Sequence, residues 1–94
     1  MNLLGVLVEF LGTFIFLSVI VATGSPWAIG ATLAALILLG GSISGGHFNP
    51  AVTLMFLFNR GLPADQAASY IVAQIAAGIL AIVTYNQLRK GGVL

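Results

Sequence analysis

From Leu3 to Thr23 the chain runs "LLGVLVEFLGTFIFLSVIVAT", with a single ionisable side chain, Glu9. At about 1.5 Å per residue, a helix over this run is roughly 30 Å long, one hydrocarbon thickness of a bilayer. A segment this apolar belongs either in a deep core or in lipid, and composition decides between them. Of 94 residues, 60% are hydrophobic and 5% charged. A soluble domain normally carries about a quarter charged residues to make a wet surface. Glu9, Arg60, Asp65, Arg89 and Lys90 cannot clothe one. The bilayer is therefore the solvent, and a multi-pass, all-α integral membrane protein is expected. A net charge of +1 leaves no basic patch for nucleic acid, and the charges are too scattered for a lipid-headgroup site. The absence of cysteine excludes disulfides and thiolate metal sites. The opening "MNLLGVLVEF" lacks the basic region and cleavage site of a signal peptide, and reads as the start of a membrane helix.

One domain over residues 1–94 is expected. Helix one covers about 3–23. The turn "TGSPW" follows, with Pro26 suited to a first helical position and Trp27 to an interfacial anchor. Helix two covers about 26–41. A last span restarts after "GLP" and covers about 63–88, wet at its start (Asp65, Gln66) and closed by Arg89 and Lys90. Between these spans lies "GGSISGGHFNPAVTLMFLFN", and the expected re-entrant loop and half-helix occupy about 42–58. Pro50 to Phe58 is too short to cross a bilayer and too apolar for an exposed loop. Asn49 is a favoured helix cap and Pro50 a favoured first residue, so a helix should begin there abruptly. Non-helical backbone at membrane depth survives only inside protein or beside water. The spacing thus predicts three transmembrane helices plus one half-helix whose N-terminus sits near the midplane.

A half-helix starting there presents unpaired N–H groups and about half a positive charge to the membrane interior. It repels cations and can hold neutral hydrogen-bonding solutes. The extended stretch before it cannot pair its own carbonyls, so those of Gly45, Gly46 and His47 are candidates to line a file of solute. Asn49 adds an NH2 donor when its side-chain oxygen caps the helix. Donors at the centre and acceptors along one wall suit water or a polyol. Glu9, a carboxylate inside a span, costs roughly 2.5–3.5 kcal/mol on insertion scales and is expected to be paired or functional. His47 has no cysteine and no nearby carboxylate in sequence, so it is read as packing the loop, and no metal or cofactor is expected. Met55, Phe56 and Phe58 read as packing residues, and Gly12, Gly30 and Gly78 as sites of close helix contact.

The stretch "SGGHFNPAVT" resembles the first Asn-Pro-Ala loop of the aquaporin (major intrinsic protein) family. "EFLGTFIFL" resembles that family's first helix and "SYIVAQIAAGILA" its third. The resemblance implies a pore motif at Asn49, Pro50 and Ala51, and loop-bracing roles for Glu9 and Gln74. It also implies a passive channel for water and small neutral solutes such as glycerol, and no enzyme. Family members normally contain two such halves, inverted relative to each other, and this chain contains one. An inverted second copy is the simplest completion, giving an antiparallel homodimer; the family's tetramers would then correspond to four pairs, eight chains. The α-amino group and Arg60 on one side balance Arg89 and Lys90 on the other, which permits both orientations. In the family an arginine follows the second Asn-Pro-Ala. Val52 holds that position here, and Ile29 aligns with the constriction position on the second helix. The implied filter is apolar and carries no fixed charge. An accessory subunit paired with a different half, or an inactive remnant, stays open as an alternative at this level.

Overall fold

The computed structural model describes residues 1–59 and 61–94. Arg60, counted above among the charges, lies outside the described residues. Four helices follow in order: α1 Leu3–Thr23, α2 Pro26–Ser44, α3 Pro50–Asn59 and α4 Ala64–Lys90. Three of them, α1, α2 and α4, are long and apolar enough to cross a membrane, and α3 is a shorter apolar helix.

Local chemistry sets each boundary. Asn2 caps α1 through its side-chain oxygen, which accepts from Gly5 N at 2.7 Å, and the helix closes at Gly24, whose N–H returns to the Ile20 carbonyl at 3.0 Å. Ser25 caps α2 (Ala28 N to Oγ, 3.3 Å), and Pro26 stands in the first turn, where no N–H is needed. The second helix runs to Ser44, three residues beyond the expected end. Gly40 and Gly41 lie inside it, and the stop is Gly45 at φ +96°, a left-handed conformation open to glycine. On α4, Asp65 in the first turn and Arg89 and Lys90 in the last complement the helix dipole.

The helix α1 is the central element, with α2 and α4 flanking it and α3 packed on α4. Gln66 and Asn2 exchange two hydrogen bonds (2.8 and 3.1 Å), and Glu9 meets Gln74, so α1 and α4 run parallel. Asn2 also donates to the Ile43 carbonyl (2.8 Å), so α2 runs antiparallel and ends where α1 begins. This one asparagine ties the ends of three helices together. The two chain termini consequently lie at opposite ends of a body measuring 45 × 23 × 20 Å.

Burial is inverted relative to a soluble protein. Leu3, Leu7, Leu11 and Ile15 of α1, Leu38 and Leu39 of α2, and Val72, Ile79 and Val83 of α4 are exposed. The largest fully buried side chains are Gln74, Glu9, Thr13 and Thr53. Around them α4 turns small residues inward, with Ala67, Ala73, Ala77 and Ala81 all buried. Small side chains let helices approach closely where lipid supplies no hydrophobic drive between them. Of the three glycines expected to permit such contact, Gly12 faces the Phe48 ring and Gly78 faces Leu17, but Gly30 has open space around it. Gly30 receives no neighbouring helix among the described residues.

Candidate functional site

The buried polar cluster holds the segment between α2 and α3. Glu9 accepts four hydrogen bonds: Ser44 Oγ (2.7 Å) and His47 N (2.9 Å) at Oε2, Phe48 N (2.7 Å) and Gln74 Nε2 (2.9 Å) at Oε1. Ser44 Oγ in turn accepts from Gly46 N at 3.0 Å. Hydrogen bonds to a charged group contribute about 1.5–3 kcal/mol each, so four together exceed the ~2.5–3.5 kcal/mol that a carboxylate costs in a span.

The consequence for the backbone is geometric. In a trans peptide the N–H of one residue and the C=O of the residue before it point in opposite directions. Pinning the N–H groups of Gly46, His47 and Phe48 inward turns the carbonyls of Gly45, Gly46 and His47 the other way. None of these three carbonyls accepts a hydrogen bond among the described residues. The path requires positive φ at Gly45 (+96°), Gly46 (+68°) and also Phe48 (+54°). For the bulky Phe48 that conformation is unusual. One hydrogen bond and one packing contact hold it: Phe48 N donates to Glu9, and the ring, 2% exposed, wedges against Gly12 and Gly40. Because Gly12 is next to the midpoint of α1, Phe48 sets the start of α3 at half the height of the bundle.

There Asn49 is exposed. Its side-chain oxygen accepts from Ala51 N (2.8 Å) and its carbonyl from Thr53 N (3.1 Å), which leaves the NH2 without a partner among the described residues. Pro50 opens α3, and Ala51 is exposed beside it. Gly45 is exposed, Gly46 half-buried and His47 buried. Gln74 is buried and bridges Glu9 to Thr53 Oγ1 (2.9 Å), which lies 2.9 Å from His47 Nδ1. The His47 ring stacks on Phe56 (centroids 4.8 Å apart, planes at 24°) and meets Tyr70 edge-on at 5.3 Å. The structure thus gathers Glu9, Gln74 and residues 45–49 into one assembly. It does not gather the two constriction candidates. Val52 and Ile29 are each half-buried, but α2 and α3 make no close approach. Ile29 lies in the first turn of α2, about 22 Å along the helix from Ser44.

With this geometry in hand, comparison with known proteins decides the family. Residues 3–93 match the family model described as Major intrinsic protein. The chain belongs to the major intrinsic protein family. Among curated relatives it is 48% identical over 84 residues to "Glycerol uptake facilitator protein-like 6" of Lactiplantibacillus plantarum, covering 80% of this chain and 39% of that protein. It is 37% identical over 91 residues to "Probable aquaporin PIP2-7" of Oryza sativa subsp. japonica (76% and 31%). It is 47% identical over 62 residues to "Nodulin-26" of Glycine max (66% and 23%). The chain thus spans between about a quarter and two fifths of the length of these relatives. No solved structure matches it. Members of the family are integral, multi-pass membrane channels, not enzymes, and the three spans with a shorter helix fit half of an aquaporin fold.

Several residues of the assembly do not stand out in sequence. Ser44, Thr53, Phe48, Asn2 and Tyr70 all serve it. A signal existed for the α4 contribution: Gln66, Tyr70 and Gln74 recur every fourth position, a polar stripe on an apolar helix. Phe48 offers none, because its role depends on glycines 36 and 8 residues away in the chain.

Proposed function

We propose that this chain forms one wall of a passive pore for water and small neutral solutes, and that an inverted second copy supplies the other. The observation that carries the reading is the row of carbonyls at Gly45, Gly46 and His47, leading to the NH2 of Asn49 at half the bundle's height, none of which has a partner among the described residues. An acceptor row beside a donor replaces, one hydrogen bond at a time, the contacts a neutral solute gives up on leaving water. The start of α3 adds its positive dipole end against cations, which is the electrostatic barrier logic general to aquaporin-type pores. On this reading α3 is re-entrant, Asn49-Pro50-Ala51 is the pore motif, and Glu9 and Gln74 brace the loop. Ile29 and Val52, each present twice in a two-fold pair, form apolar constrictions away from the centre.

Two further points support an inverted partner. A single row of carbonyls is half a wall, and the site of an inverted-repeat transporter lies between its repeats. The three basic residues, Arg60, Arg89 and Lys90, are also too few to impose a strong bias on orientation. The test is osmotic. Vesicles containing the inserted protein should shrink faster than empty vesicles after a hyperosmotic step, and Asn49→Ala should slow them at least several-fold. Shrinkage equal to that of empty vesicles, with insertion verified, would remove the proposal.

A further inference from the structure

The side chain of His47 has a free end. Nε2 makes no hydrogen bond among the described residues, although the residue is only 8% exposed. It is not sealed in as Thr13 Oγ1 and Gln74 Oε1 are, both of which are buried without partners. Nε2 lies beside Gly45, where an added Cβ would stand 3.1 Å away. His47, Gly45, Ser44, Phe56 and Leu62 together line an open hollow of about 270 Å³. The pore reading uses the His47 carbonyl and leaves this imidazole without a task.

The proton on that ring can be assigned by following the hydrogens inward from Glu9. The carboxylate accepts only, so Gln74 has to turn its NH2 toward Glu9 Oε1. The other hydrogen of that NH2 goes to Thr53 Oγ1. Thr53 therefore accepts from Gln74 and still has its own hydroxyl hydrogen to place. Thr23 and Thr32 give theirs to the carbonyl four residues back (2.8 and 2.7 Å). Thr53 makes no such bond, and the one remaining group within reach is His47 Nδ1 at 2.9 Å. Nδ1 is then the acceptor, and in a neutral imidazole the hydrogen resides on Nε2. A hydrogen on Nδ1 would leave the hydroxyl hydrogen of Thr53 with no acceptor.

We infer that Glu9, through Gln74 and Thr53, fixes His47 as the Nε2–H tautomer, so that the hollow beside Gly45 offers a neutral N–H donor as a docking point for the oxygen of water or a small hydroxylated solute. The docking half rests on the pore reading; the tautomer half does not. An N–H donor matches the oxygen of a water or hydroxyl group, which accepts. Such a donor would meet the solute before it reaches Asn49.

This is the chain's only histidine, so 15N-histidine labelling gives one pair of ring signals in bilayer-embedded protein. The expected spectrum has a protonated Nε2 and a bare Nδ1; a hydrogen on Nδ1 overturns the inference. In Thr53→Val the donor to Nδ1 is lost, and the expected result is a mixed or Nδ1–H population. An unchanged spectrum in that variant also overturns it. Adding glycerol to the wild-type protein should move the Nε2 signal. A signal indifferent to glycerol in a protein that conducts glycerol overturns the docking site and spares the channel. A signal that moves in a protein conducting nothing supports the docking site and sinks the channel. His47→Phe keeps the ring stack and removes the donor. Its expected effect is a severalfold loss of glycerol flux relative to water flux, and an unaltered ratio counts against the docking site.

Discussion

Glu9→Gln is the most searching perturbation, because it keeps shape and volume and changes only what the side chain can accept. Four donors converge on Glu9. Glutamine retains one acceptor oxygen and turns an NH2 toward the other two donors. With the NH2 in the Oε2 place, Ser44 can redirect its hydroxyl to the Gly40 carbonyl, now 3.4 Å away, but His47 N–H cannot turn. With the NH2 in the Oε1 place, Gln74 can flip its amide, but Phe48 N–H is stranded. Either way one buried backbone N–H loses its acceptor, at about 1–3 kcal/mol, and the bonds that remain fall from charge-assisted to neutral strength, about 1 kcal/mol more. The loop should therefore open more easily by about 2–4 kcal/mol, roughly 30- to 1,000-fold. Amide hydrogen exchange of His47 and Phe48 in bilayers reads this opening directly. Vesicle shrinkage should fall with it, since the peptide released carries one of the three outward carbonyls. Exchange at both amides within threefold of wild type would refute the idea that Glu9 holds the loop.

Further outcomes follow from the same contacts. Gly12→Ala sets a Cβ into the Phe48 ring, and overpacking of this kind costs typically 1–3 kcal/mol; thermal unfolding in detergent should show the loss, and Gly30→Ala, with open space around it, should not. Phe48→Ala empties the wedge between Gly12 and Gly40 and should destabilise by about 3–5 kcal/mol, read in the same assay. Labelling of introduced terminal cysteines from one side of the membrane should find both orientations in comparable amounts. A single orientation removes the antiparallel homodimer and leaves a half-channel with another partner.

How much of this was legible in sequence depends on the distance over which each feature is determined. The spans follow from local composition, and the start of α3 at Pro50 follows from two adjacent residues, Asn49 and Pro50, with strong positional preferences. The end of α2 was less legible. Gly40 and Gly41 look like helix breakers, yet they sit inside the helix, where Gly40 admits Val8 and Phe48. Nothing local separates a glycine that ends a helix from one that receives a neighbour. Glu9 stood out as a carboxylate in an apolar span and Gln74 through the family resemblance, but their partners did not. Ser44 and Thr53 are small and common, and Phe48 reads as one more apolar residue. Its value to the loop comes from a positive φ that no sequence pattern announces and from two glycines on different helices. Gly30 failed as a contact because the same composition argument that fits Gly12 has no knowledge of which face is covered.

The arrangement also bears on association. An unsatisfied backbone group facing hydrocarbon costs several kcal/mol. The N–H groups of residues 46–48 are satisfied inside the chain, which turns the carbonyls of residues 45–47 outward, where they and the NH2 of Asn49 have no partner among the described residues. A solitary copy in lipid would carry that cost on all four groups, or draw water down to them. A partner that encloses a wet lumen against the same face removes the cost without contributing a single direct hydrogen bond. The drive to pair, on the proposed reading, therefore originates at Glu9, which is itself fully buried within the chain. It follows that Glu9→Gln, by letting one carbonyl swing back toward the protein, should weaken self-association in bilayers as well as flux. A variant that associates as tightly as wild type while its loop amides exchange freely would show that other surfaces hold the pair together.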